Sequence, residues 1–216
     1  LTPNDRLVSD YNKINTELGK KADDTSVYTK TEVDNLLSYK LNAEVILKNE
    51  LLNSNFKEGI LHFNVYGGTF STSDNGIILS SATTDNSVLT QVKDIRDNNK
   101  YYMLSTFKVL DSNVTTVQIR AYSYTINAIN SPKLNIKQII SGVYTGNSSH
   151  TDVRIRASYT IGEGRQIIEI YNMLFVNLTL IFGAGNEPTK EEMDMLISIL
   201  GGWFDGEITV TQKQYV

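Results

Sequence analysis

The spacing of apolar residues along the chain changes near Leu51. Before that point, Leu7, Tyr11, Ile14 and Leu18 recur at intervals of 4, 3 and 4. Such spacing is the seam of a coiled coil. Thr2-Pro3-Asn4-Asp5 opens the segment. It offers a capping hydroxyl, a proline at the first helical position and an acid near the positive end of the helix dipole. Gly19 is a plausible stop. A second start, Thr29-Lys30-Thr31-Glu32, fits a capping box and leads to Val33, Leu36 and Leu37 on one stripe. The block 21–33 is weakly repeated at 40–51. So short a repeat has little core of its own, so its burial is expected against other copies. The pattern therefore predicts a helical, self-associating stalk over residues 1–50, as a dimer or trimer. The competing expectation is an ordinary amphipathic helix packed on its own domain.

Beyond Leu51 the period becomes two, and a domain over 51–216 follows. Strands are predicted at 60–66, 76–81, 87–92, 101–110, 114–124, 134–140, 151–160 and 166–173. Turn signals such as Ser73-Asp74-Asn75-Gly76, Asp97-Asn98-Asn99 and Asn130-Ser131-Pro132 separate them. Many strands at this spacing, uninterrupted by long helices, predict a mainly β fold, a sandwich or jelly roll. Near the end, Thr189 and Glu192 frame a capping box after Pro188, and Met193, Leu196, Ile197 and Leu200 form one apolar face. A short helix is expected there, ended by Gly201-Gly202, with a last short strand at Ile208 and Val210.

Alternation also assigns strand faces. Val117, Ile119 and Ala121 share a core face, and Gln118, Arg120, Tyr122 and Tyr124 share the other. Val153, Ile155, Ala157 and Tyr159 point one way; Asp152, Arg154, Arg156 and Ser158 point the opposite way. If the two strands are neighbours, Arg120, Tyr122, Tyr124, Arg154 and Arg156 form a polar-aromatic patch. Saccharides are held by this chemistry, with rings for C–H faces and forked donors for hydroxyl or phosphate oxygens. The bland alternative is a solvated face whose cross-strand pairs only stabilise the sheet. Trp203 is a further candidate ring for a sugar, beside a packing role that it shares with Phe182 and Phe204.

Composition narrows the chemistry. Net charge is −4 and no basic stripe is present, which argues against nucleic acid. There is no cysteine and there are only two histidines, His62 and His150, so thiolate zinc and multi-histidine sites are excluded. His62 reads as a strand residue, and His150 as a loop residue without a visible partner. No apolar run approaches the ~20 residues of a membrane span. The chain starts at Leu1 without a signal-peptide pattern, suggesting a fragment or processed product. No nucleophile elbow, zinc helix or phosphate loop is present, and the carboxylates Asp85, Asp94, Asp97, Glu163 and Glu169 show no paired placement. An enzyme is not expected. No cofactor is expected either, with one structural calcium ion at Asp94–Asn99 as the exception to test.

Two stretches carry a resemblance. The run from Leu178 through Phe182-Gly183-Ala184-Gly185-Asn186-Glu187-Pro188-Thr189, followed by Gly202-Trp203-Phe204-Asp205-Gly206, resembles a recurring C-terminal segment. That segment occurs in tail-fibre and baseplate proteins of phages of low-GC Gram-positive bacteria. Val27-Tyr28-Thr29-Lys30-Thr31-Glu32-Val33-Asp34 resembles shaft repeats of phage tail fibres. The β-region is similar, generically, to carbohydrate-binding jelly rolls appended to such fibres. The resemblance implies a virion protein outside the host cell, a homotrimer that contacts other baseplate or tail proteins. The expected function is adhesion to host cell-wall polysaccharide; the rivals are a purely structural adaptor and a polysaccharide-degrading tail enzyme.

Overall fold

A computed structural model describes residues 45–81, 86–159 and 166–210, the side chains of Ser81, Asn86, Tyr159 and Gln166 excepted. The expected seam residues Leu7, Tyr11, Ile14, Leu18, Val33, Leu36 and Leu37 lie outside the described residues. The chain divides into two compact units, one of Leu47–Ile208 and one of Leu1–Ile46 with Thr209–Val216. The last residues assigned to the stalk are not helical: Val45–Lys48 form strand β1, which pairs with β12 (Glu207–Val210).

Within Leu47–Ile208 the chain is a β-sandwich of two five-stranded sheets. The first has the order β2 (Asn64–Tyr66), β5 (Asn86–Val92), β10 (Asp152–Tyr159), β7 (Val114–Ala121), β8 (Tyr124–Asn130). The second has the order β3 (Thr69–Ser73), β4 (Gly76–Ser81), β11 (Gln166–Asn177), β6 (Lys100–Val109), β9 (Lys137–Thr145). Strands five to seven and eight to eleven cross from sheet to sheet, so each sheet is stitched by long-range antiparallel pairs. Leu89, Val117, Ile119, Val153 and Ile155 line the inner face of the first sheet, and Ile77, Met103, Phe107, Ile170 and Phe175 that of the second. Each such side chain contributes roughly 1.5–3 kcal/mol on burial.

Several predicted elements change. The expected strand at 114–124 breaks into a hairpin: β7 ends at Ala121, Tyr122-Ser123 turn, and β8 begins at Tyr124. Nothing in Tyr122-Ser123 advertises a turn. Residues 60–63 are turn rather than strand, and His62 there has φ of 71°. β3, a Thr-Phe-Ser-Thr-Ser edge strand, has no apolar alternation to announce it. β11 runs on to Asn177 past a register shift between Ile170 and Asn172. Gly76 pairs there so closely that a Cβ would meet the Ile170 carbonyl oxygen at 2.1 Å.

The outer face of the second sheet is covered over Tyr102 and Leu104, while Ile139 on the same face of β9 stays exposed. On β6, Tyr101, Met103 and Phe107 face the main core, while Tyr102 and Leu104 are buried on the other side. Their cover is α2 (Lys190–Ile199), with Met193, Leu196 and Ile197 buried and Asp194 accepting a 2.7 Å hydrogen bond from the Tyr102 hydroxyl. The expected capping box is present, as Thr189 Oγ1 accepts from Glu192 N and Glu192 accepts from Thr189 N. Before it, α1 (Leu178–Phe182) is capped by Asn177, whose side chain accepts from Leu180 N.

The glycine-rich segment between the helices has a structural task. Gly183 and Gly185 sit at φ of 83° and 84°, backbone that favours glycine. The turn wraps the buried Glu187, which accepts from Thr179 Oγ1 at 2.7 Å and from Gly185 N at 2.9 Å and faces Lys100 at 3.4 Å. Those donors, the Thr179 hydroxyl first, hold its carboxyl down at about 2. The buried Asn49 fastens the other side. It donates to Ser54 Oγ, Met173 O and Phe204 O, and accepts from Leu51 N and Phe175 N. One side chain thus joins the entry loop, β11 and the tail.

Candidate functional site

The outer face of the first sheet carries a cluster of arginine and tyrosine side chains. β10 pairs antiparallel with β7, which puts Arg154 opposite Arg120 and Arg156 opposite Gln118. On its other side β10 pairs with β5, placing Thr90 beside Arg154 and Val88 beside Arg156. Directly opposed residues in such a ladder share a face. Arg120, Tyr122, Ser123, Arg154, Arg156 and Val88 line an open cleft of about 330 Å³. Sequence alternation therefore placed four of the candidates together, namely Arg120, Tyr122, Arg154 and Arg156.

The turn positions Tyr122. Its φ of 49° is left-handed backbone, uncommon outside glycine. Its N–H donates to Asp152 O at 2.9 Å, tying the hairpin tip to the start of β10. The ring then faces the Arg154 guanidinium, 4.8 Å from carbon to centroid. That arrangement is a cation–π contact. Arg154 also grips Asp152 with two donors, Nε to Oδ1 at 2.5 Å and Nη2 to Oδ2 at 2.8 Å. Asp152 is the first cause holding the Arg154 guanidinium above its usual range.

Arg120 is in a different state. Nη1 donates to Gln118 Oε1 and Nη2 to Ser123 O, both neutral groups. Burial, then Arg156, then Arg154 push its pKa down. Among the described residues three guanidiniums share the cleft with one carboxylate close by, which is taken by Arg154. Arg120 Nε and Arg156 Nε are buried there without a hydrogen-bond partner, as is Thr90 Oγ1 opposite Arg154 in the ladder. A buried donor left unsatisfied costs about 1–3 kcal/mol, and a ligand oxygen reaches these atoms only if the side chains turn towards the cleft.

Tyr124 departs from its predicted place. It pairs with Ala121, a core-facing residue, so beyond the hairpin tip it points to the other side of the sheet. Its ring joins Tyr144 at 5.5 Å and His150 at 6.3 Å at the end of the sandwich. His150 has partners after all: the Tyr144 hydroxyl lies against its Nδ1, and the Tyr122 ring lies 6.3 Å away. Tyr122 and Tyr124, 44% and 53% exposed, thus offer two ring surfaces on either side of the hairpin tip. Trp203 is elsewhere. Its indole N–H donates to Met173 O on β11 of the second sheet, apart from the arginines. Tyr66 belongs to the same neighbourhood and escaped sequence reasoning. It lies opposite Val88 on β2, is 59% exposed and is sensed by Arg154. Its signal would have been strand pairing, which sequence alone does not supply.

Other features are less suited to a ligand. A cleft of about 350 Å³ lies between α2 and strands β8 and β9. Its polar groups already hold one another: Asp194 takes Tyr102 and Lys190, and Asn127 donates to Ser141 O. The Asp94–Asn99 loop does not gather ligands for calcium. Asp97 accepts from Ser148 N and Ser148 Oγ, and no group of three or more acids or histidines converges among the described residues. Of the carboxylates weighed for catalysis, Asp85 and Glu163 lie outside the described residues and Glu169 accepts from the Tyr171 hydroxyl. Among the described residues no helix is long and apolar enough to cross a membrane.

No family model matches the chain, and no curated protein matches it. Several solved structures are similar to part of the chain. It is similar to a family 16 carbohydrate binding module at 13% identity, covering 60% of this chain and 100% of that one, with a TM-score of 0.45. It is similar to a CBM4 structure at 9% identity, covering 56% of this chain and 97% of that one, with a TM-score of 0.43. It is also similar to the enzymatically active domain of bacteriophage CBA120 tailspike protein 4, at 16% identity and a TM-score of 0.42, covering 59% of this chain and 21% of that one.

Proposed function

We propose that this chain is a tail-fibre or baseplate component of a phage of Gram-positive bacteria, and that its sandwich binds a host cell-surface saccharide without cleaving it. One observation carries the binding half: an arginine-tyrosine cleft that is open among the described residues, in which Arg120 and Arg156 have no carboxylate partner. Tyr122, braced by Arg154, offers a half-exposed ring for a sugar C–H face. The carboxylate nearest the cleft, Asp152, is engaged by Arg154 rather than poised against a second acid. Virion placement is supported by the resemblance of Val27–Asp34 and Leu178–Gly206 to tail-fibre segments. Trimerisation is supported by the Leu7, Tyr11, Ile14, Leu18 spacing. Weak single-site contacts multiplied on a trimer would give useful avidity.

The test is binding of the full chain to purified Gram-positive cell walls, with soluble products assayed in parallel. Retention on the walls, reduced by Tyr122→Ala, is the expected result. No retention would favour an adaptor that touches only other virion proteins. Release of oligosaccharides would establish an enzyme. Sedimentation of the same chain tests the stalk: a trimer is expected, and a clean monomer at micromolar concentration would remove it.

A further inference from the structure

We propose that Arg120 and Arg156 form an anion seat in the cleft, so that the saccharide it takes bears a phosphate or carboxylate group; this rests on the cleft being the saccharide site. The arginines divide the work. Arg154 is closed on itself, with Nε and Nη2 given to Asp152 and its flat face against Tyr122. It is a positioning residue that holds the tyrosine ring. Arg120 and Arg156 have no carboxylate of their own among the cleft-lining residues. Gln118, opposite Arg156 in the ladder, steadies Arg120 through a neutral oxygen and leaves its charge uncompensated.

The register brings these two guanidiniums together. Arg120 faces Arg154, so it is the diagonal neighbour of Arg156 across the β7–β10 pair. Diagonal neighbours lie about 7–8 Å apart at the backbone, within reach for long side chains. Both Nε atoms are buried without acceptors. A guanidinium fork is shaped for the oxygens of a phosphate or carboxylate. Like charges held this close repel, and the repulsion is felt at Arg120, whose pKa is lowered by burial and then by Arg156 and Arg154. A neutral sugar would supply acceptors but leave the repulsion. An anionic oxygen supplies both acceptor and counter-charge.

The experiment titrates the full chain with inorganic phosphate, glucose 1-phosphate, glucuronate and neutral glucose, following the arginine Nε–Hε resonances by NMR. Saturable shifts at Arg120 and Arg156 with phosphate or glucuronate are expected, with glucose much weaker. Arg156→Gln should weaken the anion by about tenfold or more, as loss of one charged fork implies. Arg156→Lys keeps the charge but not the fork and should fall between. Glucose 1-phosphate winning over glucuronate assigns a phosphate-bearing polymer; the reverse assigns an acidic sugar. Both support the seat. If no anion shifts these resonances while cell walls are still bound, the seat is overturned and the saccharide reading stands. If neither anion nor wall is bound, both fall. Anion shifts unchanged by Arg156→Gln mean an adventitious ion only, and overturn the seat.

Discussion

The two outer faces of the sandwich began as equivalent surfaces and ended differently. The second sheet presents Tyr102 and Leu104 outward, and α2 lies over them. The first sheet presents Arg120, Arg154 and Arg156 outward, and a cleft remains. The difference shows how a small β-domain can bury part of one outer face for stability and leave the other open among the described residues. Burying a second apolar layer under α2 adds Met193, Leu196 and Ile197 to the buried surface without touching the cleft.

Removing the cover should have the largest effect. Met193→Ala leaves a cavity under α2 and should cost about 3 kcal/mol in urea unfolding, with cleft ligands bound as before once folded. A loss of less than about 1 kcal/mol would mean that α2 is not a structural lid. Asn49→Ala comes next. It strands Leu51 N and Phe175 N and takes a donor from Phe204 O, while Met173 O keeps Trp203 and Ser54 Oγ keeps Asp205; about 2 kcal/mol is expected from the same measurement.

The acid limb of stability sharpens the comparison further. Glu187 is held at about 2, below its ordinary 4.5, so its contribution is present above pH 4.5 and is lost as pH falls towards 2. Glu187→Gln should therefore lower stability at neutral pH by roughly 1–2 kcal/mol and flatten the profile between those values. A mutant curve parallel to the wild type would deny Glu187 this role. The cleft should respond least in stability. Arg156→Gln removes an unpartnered buried Nε and a repelling charge, so it is expected to leave stability unchanged or raise it by up to about 1 kcal/mol. A large loss would place Arg156 in the framework instead of the site.

Much of this was legible beforehand, for physical reasons that differ by element. β7 and β10 alternate cleanly because one face packs in the core, so Arg120, Arg154 and Arg156 were assigned to one side correctly. α2 was legible from its capping box and apolar stripe. β6 was recognised as a strand, but its lack of alternation over Tyr101–Leu104 was the sign of a covered outer face, visible only once α2 is docked. Tyr124 was misassigned because the Tyr122-Ser123 turn uses no glycine, asparagine or proline at its tip, and one unrecognised turn reverses every later face.

Local pattern alone determined the change of period, the β-rich fold and which residues of a given strand share a face. Those follow from the two-residue repeat of extended chain and the turns between strands. Only the tertiary structure decided which face stays open, that Asp152 ties down Arg154 rather than Arg120 or Arg156, and that Trp203 sits apart from the cleft. Strand pairing joins residues far apart in sequence, and charge partnership depends on that pairing. No spacing along the chain records it.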